Sequence, residues 1–439
     1  MIPSDTEPGE VESPKATTAD DGARTPARIG FFVGKGGVGK STLASAEAVR
    51  AALAGHRVLV VSTDQAHSLG EVLGVAVPPS GDAAPVRILT EESGGQTGGG
   101  HLDAAALDTL ALLESMWRAV VPALALRFPS SDLNELAPEE LCALPGIQEV
   151  LGLRAVAELA DSGRWDYVVV DCASTADALR MLTLPAVFGD YLERCWPRHR
   201  RLSAALDDVR TAAAVALAET AAAAVGSLSA LLTDTERVCA HLVLTPERVV
   251  VAEAVRTVGS LALMGLRVKE LIVNQVIFTD DSYEYRNLPD HPAFDWYSAR
   301  ICEQQAVLAE LAATIADVRL LLVGHLAGEP IGPKALAQLL DEARTRGAAT
   351  PPGPLQPMVD KESGDGVHAV YRLRVQLPQL DPNALTLGRS GDDLVIGAAG
   401  LRRRVRLAPV LRRCLVADAA LRGSELTVRF RPDPRVWPA

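Results

Sequence analysis

The chain has no Cys-x-x-Cys pair. Its six cysteines, at positions 142, 172, 195, 239, 302 and 414, follow no regular spacing. A close-spaced zinc or redox site is therefore unsupported, and reduced, partly buried thiols are the plain reading. There is no surplus of basic charge either: 43 Lys and Arg stand against 55 Asp and Glu, for a net charge of −12. Broad contact with a nucleic-acid backbone is not expected. No basic-then-apolar leader pattern is present at the N-terminus, and no repeat of solenoid length occurs. One long, weakly apolar stretch, Thr211 to Leu232, is mostly alanine and carries Glu219. An amphipathic or buried helix suits it better than a membrane span. Together these absences make a cytoplasmic location the expectation.

What is present is enough apolar residue for a sizeable core, 48% of 439 residues, and more than one domain is expected at this length. Residues 1–27, rich in Pro, Thr, Asp and Glu, read as a disordered tail. Apolar runs at 28–33, 57–62, 86–89, 166–171, 238–244, 268–273 and 318–323 read as strands. They alternate with helical stretches at 41–54, 147–162, 247–263 and 333–345. That alternation predicts an α/β domain over 28–345, with a doubly wound, mostly parallel sheet. Helix-rich insertions are expected near 101–145 and 185–236, and Gly94 to Gly100 reads as a flexible loop. A Pro/Gly-rich linker is expected over 346–366. Beyond it the period changes to two: Tyr371, Leu373, Val375 and Leu377 alternate with polar residues, as do Leu426, Val428 and Phe430. This predicts a small antiparallel β-sandwich over 367–432.

The chemistry is concentrated in Gly34-Lys35-Gly36-Gly37-Val38-Gly39-Lys40-Ser41-Thr42, set between an apolar strand and a helix. Strand, glycine-rich loop, Lys-Ser and helix is the context of a phosphate-binding P-loop. Its glycines let backbone N–H groups wrap around phosphate oxygens, and the helix start adds a positive dipole end. Lys40 can reach the β- and γ-phosphates of ATP, and Ser41 can ligate Mg2+. Asp171 ends an apolar strand, where a carboxylate needs a partner. Mg2+ is one candidate partner, and a simple strand-end cap is the alternative. Asn274 and Gln275 end another strand, and ligands of such folds gather at the strands' carboxyl ends.

The loop, with its second lysine Lys35, resembles the deviant P-loop of the arsenite-pump, tail-anchored-protein targeting, and chromosome- and septum-positioning ATPases. The series that follows narrows this to the ArsA type. Ser62-Thr63-Asp64-Gln65-Ala66-His67-Ser68 is similar to that family's switch I, and Trp165 to Thr175 to its switch II. Leu144-Pro145-Gly146-Ile147, Arg180 to Pro185 and Leu244-Thr245-Pro246-Glu247 extend the likeness over about 28–345. The resemblance implies a homodimeric, Mg2+-dependent ATPase. Lys35 would reach the partner's phosphates, Asp64 would position the attacking water, and Asn274 would contact adenine. A helix N-cap is the other reading of Asp64, and a turn residue that of Asn274. The C-terminal strands, with Ala419 to Val428 as the best local match, resemble the small-heat-shock-like domain of some bacterial members. Gln65, Ser174 and Ala176-Asp177 depart from the family's Pro, Pro and Gly-His, which puts the hydrolysis rate in question.

Three functions are compatible with that family. One is nucleotide-gated binding of a hydrophobic or membrane-protein client, with Trp117, Val120, Val121, Leu124, Leu126 and Phe128 as candidate groove residues. The second is metalloid efflux, which wants clustered thiolates that the sequence does not display. The third is a slow-turnover sensor or scaffold. A septum-type membrane anchor is not expected, because the chain ends in strands and not in a basic amphipathic helix.

Overall fold

The computed structural model describes residues 25–64, 68–81, 84–90, 99–127, 146–206, 208–278, 291–315, 318–346, 357–398 and 400–437. Among these, a ten-stranded sheet organises the first domain. Its elements in chain order are β1 Arg28–Gly34, α1 Lys40–Leu53, β2 Arg57–Ser62, α2 Ser68–Leu73, β3 Pro79–Ser80, β4 Val86–Thr90, β5 His101–Leu107, α3 Thr109–Arg127, α4 Ile147–Asp161 and β6 Tyr167–Asp171. They continue with α5 Thr175–Cys195, α6 Arg198–Ala204, α7 Val209–Thr233, β7 Val238–Leu244, α8 Arg248–Met264, β8 Val268–Val276, α9 Pro292–Thr314, β9 Arg319–Gly324, α10 Pro333–Asp341 and β10 Arg344–Arg346. The strand order is β10-β9-β8-β7-β1-β6-β2-β5-β3, with β4 on β5. Pairing is parallel except at β4 and β10. The central strands are apolar throughout because helices cover both faces: Phe31, Phe32, Val60, Val61, Val169 and Val170 are all fully buried.

Three sequence expectations change here. The segment 101–145, read as a helix-rich insertion, opens with the inner strand β5. Alanines and a central Asp103 hide it from a search for apolar runs. Asp103 is tolerated inside because Arg87 Nε lies 2.5 Å and Trp165 Nε1 2.9 Å from its carboxylate. The helix expected over 333–345 stops at Asp341, and Arg344–Arg346 turns back as an antiparallel edge strand on β9. The linker expected to reach 366 contains a strand, Met358–Ser363. Ala27, at the end of the expected tail, is buried and its N–H donates to the Ala160 carbonyl. Most of that tail, and the glycine loop over 91–98, lie outside the described residues.

The C-terminal part comprises β11 Met358–Ser363, β12 Val370–Gln376, β13 Thr386–Ser390, β14 Asp393–Ala398, β15 Leu401–Arg406, α11 Pro409–Arg412, β16 Cys414–Arg422 and β17 Glu425–Pro432. A four-stranded sheet, β11-β12-β17-β16, and a three-stranded one, β13-β14-β15, are both antiparallel. They share one core containing Leu373, Val375, Leu394, Ile396, Val405, Val428 and Phe430. The alternating residues 373, 375, 426, 428 and 430 point inward, as their period of two requires. This unit docks on the first domain through α8, whose Leu263 enters the C-terminal core. Arg404 Nε adds an ion pair to Asp190 Oδ2 of α5 at 2.7 Å.

Candidate functional site

β1 lies at the centre of the parallel strands, between β6 and β7. The chain passes from β1 beyond β6 to β2, and from β6 back beyond β1 to β7, so the connections diverge here and a crevice opens at the strands' carboxyl ends. The P-loop fills that crevice. Gly37 has φ 81° and Gly39 φ 89°, a backbone region that L side chains avoid. A Cβ at Gly39 would also collide with the Asn274 amide, and one at Gly34 with the Val243 carbonyl. At Gly36 and Gly37 a Cβ would meet nothing, so that side of the loop is an open cradle. Gly39 caps α1 without any side-chain hydrogen bond. The N–H groups of the first turn are therefore free to meet an anion.

Lys40 is buried and its Nζ donates to the Lys35 carbonyl at 3.3 Å, holding the cation over its own loop. The Lys35 side chain is exposed. Ser41 Oγ and Ser68 Oγ are 2.9 Å apart, which ties the P-loop helix to the start of α2. Thr42 is half-buried in the same first turn.

Asp171 closes β6, paired in register with Phe32 of β1 and Ser62 of β2. Both its carboxylate oxygens are buried without a well-formed hydrogen bond, although the Ser41 and Ser62 hydroxyls are near. Burial pushes its pKa up to about 6, against the opposing pull of Ser41 and Lys40. An orphaned carboxylate beside a P-loop serine is an oxygen donor set that suits Mg2+, which takes one or two protein ligands and completes its shell with phosphate and water. The Asp171 backbone carbonyl accepts from the Thr63 N–H at 3.0 Å, coupling the switch I and switch II strands. Asp64, one residue on, is half-buried at the mouth, with its N–H on Ser62 Oγ at 3.1 Å. Gln65 and His67 lie outside the described residues.

Asn274, at the end of β8, reaches the P-loop. Its Nδ2 donates to the Val38 carbonyl at 2.9 Å, so this amide group braces the P-loop. Gln275 is exposed and has φ 60°, a strained value for a non-glycine residue. A residue missed in the sequence holds that turn. Gln304 of α9, buried, accepts from the Ile277 N–H at 2.8 Å and donates to the Gln275 carbonyl at 3.1 Å. No local motif marks it.

The altered switch II has a local purpose. Ser174 is the N-cap of α5: its Oγ accepts from the Asp177 N–H and donates to Asp177 Oδ2 at 2.7 Å. Ser174 and Asp177 thus form a reciprocal cap that starts the helix firmly.

Past this cap, α5 to α7 present apolar side chains to solvent: Val187, Phe188 and Tyr191 on α5, Leu202 on α6, then Leu206 and Val209, the last two each 87% exposed. The helix over the alanine-rich stretch, expected to be amphipathic or buried, is long and apolar enough to cross a membrane by length and composition, yet only 28% of its apolar window is buried. It packs on α5 and buries Val215, Val225, Leu228 and Leu232. Of the candidate groove residues, Trp117 is half-buried in α3, whereas the side chains of Val120, Val121, Leu124, Leu126 and Phe128 lie outside the described residues.

Comparison with known proteins identifies the family of both domains. The family described as "Anion-transporting ATPase" matches residues 27–343, and the "HSP20-like domain found in ArsA" matches residues 368–430. Protein Rv2184c of Mycobacterium tuberculosis is 69% identical over 96% of this chain and 100% of its own length. The arsenical pump-driving ATPase of Escherichia coli is 29% identical over 71% of this chain and 48% of its own length. An ATPase ASNA1 homolog of Cryptosporidium parvum is 29% identical over 57% of this chain and 66% of its own length.

Proposed function

Because the chain belongs to the ArsA family of ATPases, we propose that it hydrolyses Mg2+-ATP as a homodimer and couples its nucleotide state to binding of a hydrophobic client. The observation that carries the client is the exposed apolar surface of α5 to α7, which leaves the nucleotide crevice directly from the capped switch II. Large exposed apolar patches on a folded protein mark interaction surfaces. A metalloid site has less support: among the described residues, no group of three or more His, Cys, Asp or Glu could hold a metal ion.

In this reading the N–H groups of the P-loop and the first turn of α1 bind the phosphates, and Lys40 leaves the Lys35 carbonyl for the β/γ oxygens. Ser41 and Asp171 would hold Mg2+, which neutralises charge on the phosphates when bound. Asp64 orients and polarises the water that attacks in line with the γ-phosphate. Asp64→Asn should leave ATP affinity within about twofold while slowing single-turnover hydrolysis by about a hundredfold or more, the scale of a lost general base. A wild-type single-turnover rate would return Asp64 to a capping role.

Lys35 is exposed on the loop, which supports a target on the other subunit. Lys35→Ala should retain nucleotide binding and lose ATP-dependent dimerisation. Sedimentation with a non-hydrolysable ATP analogue reads this directly; a dimer of normal strength would refute a role in trans.

The client reading is tested with a fluorescent apolar helix peptide titrated against the ATP-locked and ADP-bound protein. Affinity should be higher with ATP, and by linkage the peptide should raise ATP affinity by the same factor. Equal affinity in both states would remove client gating and leave the sensor reading ahead.

A further inference from the structure

A cavity of about 460 Å³ opens at the amino ends of the strands, at the opposite end of the sheet from the P-loop. Arg28 at the start of β1, Tyr167 at the start of β6, Val238 at the start of β7 and Ala54 beyond the end of α1 line it. Its wall is strongly basic: Arg50, Arg237, Arg267, Lys269 and His56 join Arg28, against Glu47 and Glu236. Arg50 is neutralised by Glu47 at 2.5 Å and Arg237 by Asp161 at 2.7 Å. Arg267 and Lys269 form no ion pair with a described residue, and Arg267 Nε is buried without a hydrogen-bond partner. A concave wall with uncompensated cations favours an anionic occupant.

The floor of this cavity carries a nucleophile. Cys239 lines it, partly exposed. Two residues along β7, and so on the same face, is the fully buried His241. Cys239 Sγ and His241 Nε2 are 3.8 Å apart, and His241 Nδ1 lies 2.9 Å from Glu270 Oε1 on β8. The imidazole is fixed by stacking on Phe32, with centroids 4.6 Å apart and planes within 5°. Thiol, imidazole and carboxylate in a chain is the arrangement that activates a cysteine, with the acid orienting the base. Nothing in the ATPase chemistry uses these three residues.

We infer that Cys239 is the nucleophile of a covalent site for small anionic disulfides, with His241 and Glu270 activating it and the basic wall selecting its partner. Burial pushes the Cys239 thiol up, but the hydrogen bond to His241 and its positive charge outweigh that and leave it below the ordinary thiol value. Burial likewise opposes ionisation of His241 and Glu270, yet contacts with Cys239 and then Glu270 hold the imidazole above its usual range, and contact with His241 holds the Glu270 carboxyl below its own. These directions are those of an imidazolium held between thiolate and carboxylate. In the reaction, the proton of Cys239 resides on His241 and the thiolate attacks one sulfur of the reagent, RS–SR. The new S–S bond forms as the old one breaks, the electron pair leaves on RS⁻, and RS⁻ takes up the proton that His241 gives back. The protein is left as a mixed disulfide at Cys239, with no other oxidant needed.

The test uses the full-length protein with Cys142→Ser, Cys195→Ser and Cys302→Ser, so that neither the two exposed thiols nor Cys142 compete. The probes are the dianionic 5,5′-dithiobis(2-nitrobenzoate) and the uncharged bis(2-hydroxyethyl) disulfide, with the adduct located by peptide mass mapping. In folded protein the dianionic reagent should label Cys239. Lys269→Gln, a change at an exposed position, combined with Arg267→Gln should slow that labelling by about tenfold and the uncharged reagent by about threefold at most, the shared part being the loss of the Lys269 charge that helps to lower the thiol. Glu270→Gln should slow both reagents together. Absence of any Cys239 adduct in the folded protein would overturn the proposal, and so would equal slowing of the two reagents by the Lys269/Arg267 change.

Discussion

Lys40→Ala is expected to abolish ATP binding, with an affinity loss of about a hundredfold or more, the scale of losing charge-assisted contacts to two phosphates. The physical case rests on what the lysine does without nucleotide. It is buried beside its own loop, and its ammonium is held by a single neutral carbonyl, that of Lys35, at 3.3 Å. A carbonyl is a weak partner for a buried ammonium compared with two phosphate oxygens, so the exchange favours the ligand. The same geometry predicts a modest effect on the fold, because one hydrogen bond and a partial offset to the buried Asp171 charge are lost. Isothermal titration should show the loss of binding while the thermal midpoint of the ligand-free protein shifts little. Unchanged ATP affinity would refute the phosphate site. A collapse of the ligand-free midpoint would show instead that Lys40 is structural.

The parts of this site that were legible in the sequence are those compressed into short strings. A P-loop is local: strand, glycines, lysine and helix follow one another, and each constraint acts on neighbouring residues. Asp171 was legible because a carboxylate at the end of Val168-Val169-Val170 breaks an otherwise apolar run. What escaped was either weakly patterned or distant. Strand β5 was hidden because His-Leu-Asp-Ala-Ala-Ala-Leu has neither β-branched residues nor alternation, and its stability comes from partners on β4 and at Trp165. Strand β11 was hidden because it is an edge strand with almost every side chain exposed, so it carries no apolar period. Gln304 was invisible because its clamp on the turn after β8 links residues 27 and 29 positions apart. Ser174 and Asp177 were seen, but as departures from a motif; the N-cap contact they form is equally local and could have been read from the same four residues.

The second large effect concerns Asp171 and depends on pH. Its folded-state pKa is about 6, against a reference of 3.8, with burial as the leading cause. An acid whose pKa is raised on folding binds more protons in the native state, so it costs stability as pH rises through this window. The cost is absent below about pH 4, grows between the two values and is complete above about pH 6. The shift corresponds to about 3 kcal/mol at most in the ligand-free protein. Asp171→Asn should therefore raise ligand-free stability at pH 7.5 and leave it nearly unchanged at pH 4. The amide keeps the shape and removes the buried charge, at the expense of the donor proposed for Mg2+. In the presence of Mg2+-ATP the order should reverse, because the metal compensates the wild-type carboxylate and gives the variant little. Chemical unfolding at the two pH values, with and without Mg2+-ATP, reads all four cases. If the variant gained no stability at pH 7.5, the carboxylate would already have a protein partner and the metal assignment would lose its motive. If it gained stability and kept the full Mg2+ response, the strain would be real but the metal would be held elsewhere. Gain without ligand and loss with it is the signature of a site that stores an unpaired charge for the cation it is built to receive.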